Sequence, residues 1–141
     1  MYRLGSGSGV ERAAARQAMR VALRILIVDD SPWFPDAARA LLEREGLDVA
    51  GVASTAAEAL QRAAELRPEI ALVDLSLGQE SGLALARRLG ELSGLAVILV
   101  STHAEADFVE LVRQSSAAGY LAKTEVSADA IGRILDAAAH R

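Results

Sequence analysis

The sequence predicts an α/β fold: five strand–helix units, (βα)5, wound as a parallel sheet covered by helices on both faces. Three observations carry this reading. From residue 21 onward, short aliphatic runs alternate with amphipathic stretches. The runs have strand length but lack polar alternation, as expected of strands buried on both faces. Helix-start residues stand at the joints between runs and stretches.

The runs that read as strands are Leu23–Val28, Val49–Ala53, Ile70–Val73, Val97–Val100 and Tyr120–Ala122. Helical periodicity covers roughly 33–45, 56–66, 82–92, 105–115 and 128–140. In the first helical stretch Ala37, Leu41 and Leu42 share a face; in the last, Ile131, Ile134, Leu135 and Ala138 do. Ser31-Pro32 suits an N-cap followed by proline at the first helical position. Thr55-x-x-Glu58 has the form of a capping box, and Ser81 and Ser127 are further N-cap candidates. Gly46 stands where a helix should stop. Right-handed crossovers between parallel strands then put helices on both sheet faces.

Composition narrows the function. The chain has 141 residues, room for one domain with a core, and 52% of them are apolar. The net charge of −4 disfavours independent binding to nucleic acid or anionic membrane. The absence of cysteine excludes disulfides, thiolate zinc sites and cysteine catalysis. No apolar stretch reaches the roughly 20 residues of a membrane span, and Met1–Arg20 lacks the apolar region of a secretory signal. A cytoplasmic protein is expected. Residues 1–20 read as an N-terminal extension or tag-like segment ahead of a domain over 21–141. Residues 1–18 carry a linker-like Gly-Ser repeat at 5–9, and 11–20 could form a short extra helix.

In a sheet of this kind, ligands bind beyond the carboxyl ends of the strands. The first strand ends in Asp29-Asp30, the third in Asp74, the fourth in Ser101-Thr102 and the fifth in Lys123. Only the second, running into Ala53-Ser54, delivers nothing ionisable. Three carboxylates at one edge cannot all stay ionised without a counter-charge. A hard dication bound through oxygens meets that need, and Mg²⁺ (or Mn²⁺) suits one or two carboxylates plus phosphate oxygens. A free aspartate oxygen could then attack phosphorus. Ser101 could hydrogen-bond a phosphoryl oxygen, and Lys123 could pair with another. Each residue also has a plain structural reading. The acids could be loop or turn residues, Ser101 or Thr102 a helix cap, and Lys123 a solvated surface charge.

At this point the segments ILIVDDS (25–31), ALVDLSL (71–77), VILVSTH (97–103) and GYLAK (119–123) together resemble the receiver domains of bacterial response regulators, the CheY-like superfamily. The resemblance covers about residues 21–140, with 44 positions from Asp30 to Asp74 and 22 from Ser101 to Lys123. It implies a flavodoxin-like sheet of order 2-1-3-4-5. It also implies that Asp74 is the phosphorylated aspartate, that Asp30 binds metal directly and that Asp29 binds it through water. The Ser76 carbonyl would be a further metal ligand. Ser101 would be the switch hydroxyl, Tyr120 the switch aromatic and Lys123 the phosphate-pairing lysine. The donor would be a histidine kinase or a histidine phosphotransfer protein. A downstream protein, or a second copy of the chain, would bind through the fourth helix, fifth strand and fifth helix. No direct contact with nucleic acid or membrane is expected.

Four positions depart from the commonest pattern. Thr124 replaces the proline that usually follows the lysine, so no cis peptide is expected there. Gly78 replaces a common proline and leaves the loop after Asp74 without that rigid ring. Thr102 stands where a small residue is usual and narrows access. His103 reads as a solvated loop residue. The ending AAAHR reads as a natural terminus, so a stand-alone receiver is expected, a signalling phosphoacceptor with at most weak self-phosphorylation and autodephosphorylation. The competing readings are the isolated receiver of a DNA-binding transcription factor, a phosphorylation-independent interaction module, and a true phosphotransferase or phosphatase. The last would need a substrate cap for which the chain has no room.

Overall fold

The computed structural model describes residues 23–92, 94–102 and 108–140. The N-terminal extension, His103 and the first turn expected of the fourth helix (105–107) lie outside the described residues. Five strands form the central sheet: β1 (Arg24–Val28), β2 (Asp48–Ala53), β3 (Ile70–Asp74), β4 (Ala96–Ser101) and β5 (Gly119–Ala122). All pairings are parallel and the order is β2-β1-β3-β4-β5. Five helices alternate with them: α1 (Phe34–Arg44), α2 (Ala56–Leu66), α3 (Gly82–Gly90), α4 (Phe108–Ser115) and α5 (Ala128–Ala139). This is the predicted doubly wound sheet, with ends shifted by one or two residues.

The strand runs lack polar alternation because each residue is claimed by one of two cores. Ile25, Ile27, Ile70, Leu72, Ile98 and Val100 face Phe34, Ala38 and Leu42 of α1 and Ile131 of α5. The alternate positions, Leu26, Val28, Ala71, Val73, Val97 and Leu99, join Ala59 and Ala63 of α2 and Leu85, Ala86 and Leu89 of α3. Period-two side chains thus serve both layers.

The expected apolar faces are partly corrected. In α1 the buried residues are Phe34, Ala38 and Leu42, while Ala37 is exposed and Leu41 half-buried. In α5 only Ile131 of the expected four is fully buried. The start of α1 differs as well. Trp33 holds the N-cap position and Pro35 enters the first turn. Ser31 is held back because its N–H donates to Asp29 Oδ1 at 2.6 Å, a local turn that keeps 31–33 out of the helix. Its hydroxyl still accepts a bond from Phe34 N, at 3.3 Å. The other caps lie where they were expected. Thr55, Ser81 and Ser127 accept from Glu58 N, Ala84 N and Ala130 N at 3.1, 3.1 and 3.0 Å. The Glu58 carboxylate reaches back to Ser54 N at 2.7 Å, one residue before the cap. Gly46 takes φ +96° just past α1.

The loop after β3 was not anticipated to have structure of its own. Ser76–Leu77 and Glu80–Ser81 pair as a minimal antiparallel hairpin around Gly78, whose φ is +61°. Two-residue strands leave no periodicity in a sequence. The hairpin is tied down despite having glycine at the position where proline is common: Leu75 N donates to Val100 O, Gly82 N to Leu75 O and Ala56 N to Glu80 Oε1.

Gly82 opens α3 directly against the end of β3. A Cβ there would lie 1.9 Å from the Asp74 carbonyl oxygen, backbone that cannot step aside. At Gly90 in the same helix, a Cβ would meet nothing within 4 Å. Gly82→Ala is therefore expected to destabilise by about 3 kcal/mol through overpacking. Gly90→Ala is expected to stabilise by roughly 0.5–1 kcal/mol through helix propensity. Urea unfolding of both variants checks the pair, and equal effects would contradict the packing described.

Candidate functional site

Register builds the site. Val28 pairs with Val73, so Asp29 and Asp74 leave adjacent strands side by side. Asp74 pairs with Val100, which brings Ser101 one step beyond it, and Ser101 pairs with Ala122, which brings in Lys123. Asp29 N donates to Ala53 O at 2.9 Å, so the first acid is still held by the sheet.

Asp29, Asp74, Ser101 and Lys123 are all buried, at 1, 6, 7 and 7% exposure. These figures are far below those of ordinary charged residues. Asp30 is exposed. One carboxylate oxygen from each of Asp29, Asp30 and Asp74 falls within 4.8 Å of the others. Lys123 Nζ stands 2.5 Å from Asp29 Oδ2 and 3.2 Å from Asp74 Oδ2. Asp74 accepts that lysine's hydrogen bond on Oδ2 and the Ser76 N–H on Oδ1, at 3.1 Å. The Asp29 contact is an ion pair; its Oδ2 is buried and accepts no aligned hydrogen bond.

These contacts set the charges. Burial pushes the Asp74 carboxyl above its ordinary pKa. The Ser76 N–H opposes the shift, the Asp29 charge adds to it, and Lys123 works against it. For Lys123, burial works toward the neutral amine, but close contact with the Asp29 and Asp74 carboxylates and their charges outweighs it and holds the pKa above its usual value. The lysine is thus a fixed cation.

The donor set fits a divalent metal. It is all oxygen, it carries more negative than positive charge, and it includes a buried Asp29 Oδ2 that accepts no hydrogen bond. Gly78 sits at its rim, where a Cβ would come within 3.1 Å of Asp30 Oδ2.

The other expected residues are placed as follows. Ser76 contributes its N–H to Asp74 and has an exposed side chain. Thr102 is exposed at the edge. Tyr120, on β5, lies three residues before Lys123, at 37% exposure. It lines an open cavity of about 490 Å³ with Val109, Val112, Ile134 and Ala137, between α4 and α5. Sequence reasoning did not single out Trp33 and Phe34. Their ring centroids lie 5.7 and 4.9 Å from Lys123 Nζ. The available signal was two aromatics three and four residues after Asp30.

The family model for the response regulator receiver domain matches residues 25–135. The chain belongs to the response regulator receiver family. This receiver domain is 32% identical over 111 residues to the DNA-binding response regulator MtrA of Mycolicibacterium smegmatis, covering 79% of this chain and 48% of that protein. It is similar in structure to the signal receiver domain of a modulated diguanylate cyclase from Desulfovibrio desulfuricans G20. There the identity is 36%, the coverage 83 and 93% of the two chains, and the TM-score 0.69. A CheY-like response regulator receiver domain protein from Methanospirillum hungatei JF-1 aligns at 29% identity, 84 and 94% coverage and TM-score 0.68. The receiver spans about half the length of the curated relatives it matches. No helix among the described residues is long and apolar enough to cross a membrane.

The two central charges are expected to act on stability with opposite signs. Folding raises the Asp74 pKa, so its ionised form costs stability. That cost is present in full above the raised value and is gone below the ordinary value of 3.8. Asp74→Asn should therefore raise the melting temperature at pH 7 in EDTA, and the gain should close as pH falls toward 3.8. Lys123→Met strands two buried acids and should cost about 3 kcal/mol at pH 7. Thermal melts of both variants decide this, and a lower melting temperature for Asp74→Asn would contradict the charge balance described.

Proposed function

We propose that this receiver domain accepts a phosphoryl group on Asp74, from a histidine kinase or histidine phosphotransfer protein, with Mg²⁺ (or Mn²⁺) held by Asp29, Asp30, Asp74 and the Ser76 carbonyl. The observation that carries the reading is the Lys123 ammonium seated between Asp29 and Asp74 at the open end of the sheet. A cation buried there has one chemical use that a surface charge lacks. It can exchange a carboxylate oxygen for a phosphoryl oxygen without leaving its place.

Asp74 has the required geometry. Its Oδ1 is oriented by Ser76 N–H and its Oδ2 by Lys123, so attack needs no search over rotamers. A carboxylate oxygen forms the new P–O bond as the donor's P–N bond breaks, and the electron pair returns to the imidazole nitrogen. The bound dication would neutralise charge on the transferring group. Lys123 pairs with one phosphoryl oxygen, and Ser101, buried one register step away, donates its hydroxyl to another. The protein's role is then that of a signalling phosphoacceptor with weak autodephosphorylation, in the cytoplasm. Phosphorylation switches the surface formed by α4, β5 and α5, where Tyr120 lines the open cavity. A downstream protein or a second copy binds there.

A second reading, a receiver serving a DNA-binding transcription factor, is favoured by relatives such as the DNA-binding regulator MtrA. The reading frame beyond Arg141 separates the two.

Intact mass after incubation with acetyl phosphate and Mg²⁺ tests the chemistry. Wild type should gain one phosphate, and the gain should vanish with EDTA and with Asp74→Asn. Equal labelling of Asp74→Asn would refute the acceptor assignment, and labelling in EDTA would refute the metal requirement. The domain boundary is also part of this proposal, with the functional unit placed at 21–141. Deleting residues 1–18 should leave the phosphorylation rate within about 2-fold, because the deletion removes none of the groups that act at the site. A several-fold loss would place part of the function in the extension.

A further inference from the structure

We propose that Trp33 and Phe34 are positioning residues for Lys123, their ring faces holding its ammonium at the sheet edge when the carboxylates turn to other partners. The proposal rests on the phosphoacceptor reading above and adds two residues to it.

The argument begins with what surrounds Nζ. Two carboxylate oxygens stand at 2.5 and 3.2 Å, and two aromatic centroids at 4.9 Å (Phe34) and 5.7 Å (Trp33). Both ring distances fall inside the roughly 6 Å reach of a cation–aromatic contact. The rings are set edge to face, 87° apart with centroids 5.7 Å from each other, so each steadies the other. Phe34 is anchored in the core at 3% exposure, whereas Trp33 is 55% exposed. A tryptophan left that open adds little to the core, so removing it should disturb the ammonium it covers more than the fold.

The need for such a hold follows from electrostatics. A dication placed among Asp29, Asp30 and Asp74 takes the charge that attracts Lys123 and repels the ammonium itself. Held by carboxylates alone, the lysine would be driven toward solvent just when a phosphoryl oxygen needs it. Ring quadrupoles are unaffected by that competition. They keep the cation within reach, and they do not recruit the metal.

Two arms test this on the full chain. The first needs neither metal nor phosphate. Trp33 is the chain's one tryptophan, so nuclear Overhauser contacts from its indole protons to the Lys123 ε-methylene are unambiguous. They should be present in wild type, and their absence overturns the proposal. The second arm measures phosphorylation by acetyl phosphate against Mg²⁺ concentration for Trp33→Leu and Trp33→Phe. Trp33→Leu should lower the rate at saturating Mg²⁺ about 2- to 5-fold without raising the half-saturating concentration. Trp33→Phe should restore most of the rate, and neither variant should shift the melting temperature appreciably. An unchanged rate in Trp33→Leu, a loss that disappears at high Mg²⁺, or an equal loss in Trp33→Phe overturns the proposal. If wild type takes up no phosphate, the phosphoacceptor reading falls, and the Overhauser arm alone decides whether the rings hold the lysine.

Discussion

A buried ammonium between two buried carboxylates is the constraint on which this molecule depends. Taking Asp29, Asp74 and Lys123 out of water costs several kcal/mol for each ion, and their mutual attraction returns that only if the geometry is held. The sheet holds it. Parallel register sets Asp29 beside Asp74 and Lys123 one step past Ala122, and the strands beneath are covered on both faces. The charges are therefore placed by strands buried on both faces. The balance is still incomplete, since Asp30 adds a third acid within 4.8 Å. A site with three acids and one lysine, left two positive charges short by a rigid frame, is prepared for a divalent cation.

The surrounding parts follow from keeping that edge open yet ordered. The segment after Asp74 must turn at once, stay clear of the acids and start α3. Gly78 supplies the left-handed turn beside Asp30, and Gly82 lets the helix begin against the Asp74 carbonyl. Ser76 N–H, delivered by the same hairpin, orients Asp74. Ser31 N–H does likewise for Asp29, which delays the start of α1 and puts Trp33 and Phe34 beside Lys123. Two of these departures, at Ser31 and Ser76, thus trace to a hydrogen bond that steers a charged side chain.

This explains which features could be read from the amino-acid sequence. Long-range order was legible because both sheet faces are covered. Unbroken aliphatic runs between helical stretches have few other solutions, and strand ends in such a sheet are where charged residues gather. Asp29, Asp30, Asp74, Ser101 and Lys123 could be placed at one edge on that ground alone. The ring contacts on Lys123, the hairpin and the start of α1 were not legible. The start of α1, and with it the ring contacts, follows from side-chain to backbone bonds spanning two or three residues, which compete locally with helix formation and leave no period, while the hairpin's two-residue strands are too short to show one. The α1 face was misassigned by one position for the same reason. Once Ser31 is drawn back to Asp29, the helix begins at Phe34, and the buried stripe runs through Ala38 and Leu42 instead of Ala37.

The same geometry bears on how a change at Asp74 would reach a partner. β5 is a four-residue strand with two different neighbours along its length. At its end it presents Lys123 to the acids. Three residues earlier it presents Tyr120 to the cavity between α4 and α5, on a segment packed so closely that a Cβ at Gly119 would come within 2.7 Å of Ile134. Ser101 is register-paired with Ala122, between those two positions. A phosphoryl group that draws Ser101 and Lys123 together would therefore act on a strand too short and too tightly packed to absorb the displacement internally. The compliant direction is outward, at the half-exposed Tyr120 and the open cavity, since interiors are close-packed and resist small strains. Receivers coupled to outputs as different as a DNA-binding regulator and a diguanylate cyclase are compatible with such a device. It requires only that the partner discriminate between two arrangements of one surface, whatever activity that partner carries.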